Sequence, residues 1–151
     1  IPDSCTSIGT SSFAGCKKLS SVSFGKNVNS IGTYAFSNCQ SLTSISFPKT
    51  FKSLGDWAFY NCSGLKSVYL GTSITDIGSG AFENCTGLTT VFLSKSLSVI
   101  KPESYDTNPF KGCSGTLDFY SDAPKSNDTW ERYFGRVSYG VSYDEYLKLT
   151  Q

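Results

Sequence analysis

The sequence predicts a solenoid of stacked repeats with parallel strands, and three observations carry that reading. Cys16, Cys39, Cys62 and Cys85 are spaced 23 residues apart, and Cys113 follows after 28, one period plus an insertion of five. Apolar residues keep the same period: Phe13, Phe36, Phe59, Phe82 and Phe110 stand three residues before each Cys, and Leu19, Leu42, Leu65 and Leu88 three after. Hydroxyls fill the space between, with 26 Ser and 14 Thr among 151 residues. A unit this short holds too few apolar residues to bury a core alone, so units must stack to make one.

Each part of the unit has its own signal. Leu19-x-x-Val22-x-Phe24 alternates apolar and polar residues and predicts a short strand, whose copies pair in parallel about 4.8 Å apart. Val28-x-x-Ile31, with its copies Phe51/Leu54, Ile74/Ile77 and Leu97/Ile100, predicts a second extended segment. Residues 32–39 are too few for a full helix and suit one helical or 3₁₀ turn, with the Phe column stacked into an aromatic spine. Asn38, Asn61 and Asn84 share a column with Gly15 and Gly112, which predicts a left-handed turn position there. Five such units run over residues 1–121, with the insertion near 101–108 bulging outward.

The period stops after residue 121. A solenoid end exposes core and strand edge, so residues 122–140 are expected to form a cap. Ser126-Asn127-Asp128 offers N-cap residues for a short helix over 129–134 that lays Trp130 and Phe134 on the last coil, followed by a strand near 137–139. Residues 141–151 are expected to be a tail or linker, either extending the cap or leading into another module. The start at Ile1-Pro2 enters a unit halfway, which predicts upstream repeats and an open N-terminal edge available for self-association.

Composition excludes much chemistry. There is no His, so no Ser-His-Asp triad, no Cys-His pair and no imidazole metal ligand is possible. A net charge of +1 gives no electrostatic case for nucleic acid, and the short apolar runs insert into no membrane. The twelve acidic residues recur in no repeat column, so no stacked carboxylate pair arises. No enzyme, cofactor or metal site is expected. The cysteine column lies at about 5 Å between coils, but its Cβ vectors run parallel, so no disulfides are expected and each Cys acts as a small buried residue. Asn61, Asn84 and Asn127 satisfy the N-glycosylation pattern, the first two as a by-product of the repeat.

Ligand contacts are expected where the repeat lets residues vary. On the strand, the column Ser23, Ser46, Tyr69, Phe92 and Asp118 turns from hydroxyl to aromatic, and Lys66 lies beside it. Lys66, Tyr69, Phe92 and Asp118 are therefore the first contact candidates, against the plainer reading that the aromatics fill a crowded strand face. A second group is Tyr34, Trp57 and Tyr60 on the turn side, either an exposed cluster or packing over the turns.

Residues 31–45, Ile-Gly-Thr-Tyr-Ala-Phe-Ser-Asn-Cys-Gln-Ser-Leu-Thr-Ser-Ile, resemble the BspA-like (Treponema-type) leucine-rich repeat, and residues 1–121 follow its pattern. The resemblance implies a right-handed leucine-rich repeat solenoid of α/β type with short helical turns and a helix-containing cap. It also implies an extracellular or cell-surface setting, and adhesin-like binding of host or bacterial surface and extracellular matrix proteins. The alternative is a structural spacer in a larger extracellular protein, with no ligand of its own. The family offers no catalytic residue to carry over.

Overall fold

Alternation of hydroxyl and apolar residues makes strands at the expected places, and β3 (Ser44–Ser46) shows the simplest form, one buried Ile between two exposed Ser. The computed structural model describes residues 1–97, 99–100, 108–122 and 137–149. Among these, strands β3 (Ser44–Ser46), β5 (Ser67–Tyr69), β7 (Thr90–Leu93), β9 (Asp118–Ser121) and β10 (Val137–Tyr139) form one parallel sheet. The two-residue strands β1 (Ser7–Ile8), β2 (Ser30–Ile31), β4 (Ser53–Leu54), β6 (Asp76–Ile77) and β8 (Val99–Ile100) form a second. Both sheets keep the 23-residue register from coil to coil, as in Ile45↔Val68↔Val91 and Ile31↔Leu54↔Ile77↔Ile100. The copy over 19–24 is not a strand. Its side chains Leu19, Val22 and Phe24 are only partly buried, so the terminal coil is held less tightly against its neighbour.

The turn over 32–39 takes the form of a chain of reverse turns rather than a turn of helix. Ala35, Ser37 and Cys39 donate their N–H groups three residues back, to Gly32, Tyr34 and Phe36. The intervening Tyr34, Phe36 and Asn38 donate instead to the next coil, at Asp56, Ala58 and Tyr60, over 2.7–3.0 Å. This alternation satisfies the turn backbone and makes a third ladder between coils. Tyr34 and Asn38 pay for it with left-handed backbone, φ 56° and 60°. Asn61 and Asn84 repeat the conformation with φ 55° and 59°, matching the left-handed position read from the Gly15 and Gly112 counterparts.

The core lies between the three ladders. Phe13, Phe36, Phe59, Phe82 and Phe110 stack at 5.0–5.4 Å between ring centroids with planes within 5° of parallel, the expected aromatic spine. The insertion closes before the stack resumes, since Phe82 and Asn84 donate to the carbonyls of Pro109 and Lys111. Each cysteine from the second coil on does more than fill space. Cys39, Cys62, Cys85 and Cys113 thiols donate to the carbonyls of Phe13, Phe36, Phe59 and Phe82, at 3.1–3.3 Å. All six cysteines are free thiols.

Beyond the repeats, β10 adds to the sheet where a cap strand was expected. The expected helix over 129–134, with Trp130 and Phe134, lies outside the described residues, as do Asn127 and most of the insertion. The segment read as a tail or linker is ordered as a helix, α1 (Tyr143–Leu149), and Val141 donates back to the Ser121 carbonyl at 3.0 Å. Ser142 and Glu145 form the capping box that starts α1. Ser142 N–H and Oγ both donate to Glu145 Oε2, at 2.8 and 2.7 Å, while Glu145 N–H donates to Ser142 Oγ at 3.3 Å.

Candidate functional site

The sheet face does not present the expected patch. Phe92 is 1% exposed, because Tyr146 of α1 lies on it with ring centroids 5.1 Å apart. Register moves a second member: Asp118 pairs with Thr90, and the residue beside Phe92 is Tyr120. The displacement has a simple cause. Strand centres stand six residues after each Cys, so Cys113 sets Phe119 opposite Val91, and placing Asp118 in the Phe92 column shifts the strand by two. Asp118 is exposed but lies in the Ser44, Ser67, Thr90 column. The column next to it reads Ser46, Tyr69, Phe92 and Tyr120, with Tyr69–Phe92 centroids at 5.5 Å and Tyr120–Tyr146 at 5.8 Å. Of the four residues first expected, Lys66 and Asp118 are exposed and Tyr69 is half-buried.

The second group is better assembled. Tyr34 and Trp57 stack with centroids 5.4 Å apart and planes 9° off parallel. Trp57 Nε1 donates to Glu83 Oε2 at 2.9 Å, which fixes the indole. Tyr60 stands alongside, half-buried, and its hydroxyl accepts from Asn84 Nδ2 at 3.5 Å. Tyr34 is 39% exposed, one of two large hydrophobic residues so exposed among the described residues. Asn61 Nδ2 in turn donates to Asn38 Oδ1 at 2.8 Å, so the amides of both repeat sequons, Asn61 and Asn84, are engaged between coils.

Backbone strain marks this column. Ser11, Tyr34, Trp57 and Gly80 occupy one repeat position, with φ of 56°, 56°, 51° and 59°. The position is made for glycine, and Gly80 takes it in the fourth coil. A Cβ there would lie 2.7 Å from Trp57 Cδ1, so the glycine also gives the indole room. Holding an L-residue left-handed costs about 1–2 kcal/mol. A ring stack returns about 0.5–1.5 kcal/mol beyond area burial. Ring burial and the Trp57–Glu83 hydrogen bond add to that return, and together they hold both rings in place on the strained turn. Backbone outliers of this kind cluster at functional positions.

Other clusters are satisfied internally. A groove of about 320 Å³ along the second sheet is lined by Thr33, Asp56 and Asp76 among others. Asp56 Oδ1 accepts from Ser79 N–H at 2.8 Å, and Asp76 Oδ2 accepts from the Thr75 hydroxyl at 2.7 Å. Among the described residues no three His, Cys, Asp or Glu side chains converge to hold a metal, and no helix is long and apolar enough to cross a membrane.

Comparison with known families follows the period. A model of the BspA type leucine rich repeat region matches residues 1–115, with six copies where the 23-residue period marks five units over 1–121. The chain belongs to the BspA-type leucine-rich repeat family. Solved structures agree. A leucine-rich repeat protein from Bacteroides ovatus is 30% identical over 77% of this chain and 28% of its own, with a TM-score of 0.64. A leucine rich cell surface protein from Faecalibacterium prausnitzii is 25% identical over 78% of this chain and 33% of its own, TM-score 0.51. The pneumococcal vaccine antigen PcpA shares the fold at 19% identity, over 92% of this chain and 38% of its own, TM-score 0.68. The chain thus spans well under half the length of these three relatives. No curated protein matches it. As a member of this BspA-type group, the chain carries a repeat architecture generally used for binding rather than catalysis.

Proposed function

We propose that this chain is a non-catalytic binding module of a secreted or cell-surface protein, adhesin-like in engaging host or bacterial surface components. The observation that carries the reading is the Tyr34–Trp57 stack, held at the surface on left-handed turns. Rigid, exposed aromatics are typical interface anchors because they bury large area at little entropic cost. Tyr60 widens this contact, and Lys66 with Tyr69 offers a second one on the sheet face. The absence of His from the sequence supports a role without acid–base chemistry. Family membership and the Faecalibacterium cell surface protein support the location.

Binding of the immobilised chain to intact bacterial cells, epithelial cells and matrix proteins tests this reading. A double substitution, Tyr34→Ala with Trp57→Ala, is expected to remove most of the binding while circular dichroism shows the fold retained, with a lower midpoint of thermal unfolding from the lost stack. Lys66→Ala with Tyr69→Ala is expected to have the smaller effect. If the unaltered chain binds none of these surfaces, the module is a spacer.

A further inference from the structure

The ring series on the turn column stops one coil short. Trp57 and Tyr34 stack at the coil spacing, and the next position belongs to Ser11. Ser11 has the same left-handed backbone, and its N–H donates to Thr33 as that of Tyr34 does to Asp56. The frame for a third ring is present, but the side chain is short. Ala14 is small in the same way, standing where Ser37 and Tyr60 stand in the following coils. Both Ser11 and Ala14 are exposed, and Tyr34 is exposed next to them. The far end of the stack is closed by Gly80 and Glu83 against Trp57. What remains is an open aromatic face on Tyr34, above Ser11.

Chemistry around this face narrows its occupant. Neither turn segment, 10–16 or 33–40, carries a charged residue. Exposed Thr10, Ser11 and Ser12, with half-buried Thr33, bring hydroxyls to the two turns beside that aromatic face. A partner's aromatic side chain would leave that hydroxyl rim without partners, a loss wherever water is excluded. A pyranose ring has an apolar C–H face to lie on Tyr34 and hydroxyls at its rim to pair with Ser and Thr. We infer that the outer face of Tyr34, above Ser11, is a binding site for a neutral sugar ring of a cell-surface glycan. This inference rests on reading the chain as a binding module and names the ligand class of one of its contacts.

Saturation-transfer difference NMR on the whole chain tests it. Two probes separate the sources of such a ring: an N-acetylglucosamine tetramer, as in a cell-wall backbone, and a neutral galactose-terminated tetrasaccharide, as in a host glycan. Transfer to the C–H face of one ring in either probe is expected. Affinity is expected to fall about tenfold in Tyr34→Ala, the scale of one aromatic stack with the area it covers. Ser11→Tyr is expected to fall equally, because it builds the missing ring in a backbone that already accepts Tyr at the next coil. Lys49→Ala, an exposed position away from both contacts, is expected to bind as the unaltered chain does. No transfer to either probe, or transfer that Ser11→Tyr leaves unchanged, overturns the sugar site. Cell or matrix binding that is lost in Tyr34→Ala while neither sugar binds overturns the sugar site alone and leaves the binding module standing.

Discussion

The cysteine column shows how one residue serves several needs. A thiol is small enough to sit between coils, apolar enough to be buried there, and still able to donate to a carbonyl. Each Phe carbonyl that receives it already accepts the N–H of its own coil's Cys, as Phe36 does from Cys39 and Cys62. The apolar role was legible in the sequence from the period. The hydrogen bond was not, because the acceptor lies 26 residues upstream and only the stacked geometry brings it near. Burial pushes Cys39 and Cys113 up to about 12 from 9.0, and the Cys62 thiol together with burial pushes Cys85 up as well. The folded chain therefore holds these protons more tightly than the unfolded chain. Stability from these groups is intact below about pH 9 and falls as pH rises from there toward 12. Urea unfolding between pH 7 and 11 is expected to show that decline, together with slow alkylation of the buried thiols in the native chain and fast alkylation of exposed Cys16. Equal alkylation of all six would contradict the buried ladder.

The left-handed turn positions divide in an instructive way. The Asn38, Asn61, Asn84 column was legible because glycines stand in it at both ends. Gly80 carries the same signal for the Ser11, Tyr34, Trp57 column, but aromatic residues at a glycine position read more readily as packing than as strained backbone. Strain of this kind becomes visible only in the dihedral angles.

At the scale of elements, α1 decides what the sheet face offers. A helix of seven residues has little stability of its own, and this one depends on its capping box and on Tyr146, 3% exposed over Phe92 and Tyr120. The Ser142-x-x-Glu145 spacing is a helix-start signal in the sequence, but Gly140 and the polar residues around it read equally as a linker. Packing on Phe92 breaks that tie, and no local pattern reports it. Hydrogen bonds from the Ser142 backbone and hydroxyl hold the Glu145 carboxyl below its ordinary value. Its contribution is present above the unfolded value and is lost as pH falls through the folded one. Amide exchange across 143–149 is expected to speed up below about pH 4 relative to β7 and β9, and Ser142→Ala is expected to speed it already at neutral pH. Exchange that stays slow in both would mean that Tyr146 alone holds the helix.

The whole molecule is a stack in which each coil touches only its neighbours, so its stability is a sum of coil interfaces. Close approach is built into one column. A Cβ at Gly32, Gly55 or Gly78 would lie 2.5–2.8 Å from a backbone nitrogen of the preceding coil. Gly55→Ala is expected to force coils two and three apart and cost about 1–3 kcal/mol, as overpacking does. Urea unfolding checks this, and a change near zero would mean that the coils slide freely past one another. Fold, period and spine were all legible from the 23-residue repeat, because every coil states them again. The contact surface was legible only in part. Variable positions can be counted along the chain, but which of them stay open depends on what the last segment folds onto.

The proposed role places the main contact on the turn column and a lesser one on the sheet face. A glutamate scan of six exposed or half-exposed positions, read as binding to intact cells, measures that most directly: Ser11, Tyr34 and Trp57 on the turns, against Ser44, Ser46 and Tyr69 on the strands. Losses largest at the first three, with the fold retained by circular dichroism, are the expected result. Losses at Ser46 and Tyr69 with Tyr34 unaffected would contradict it.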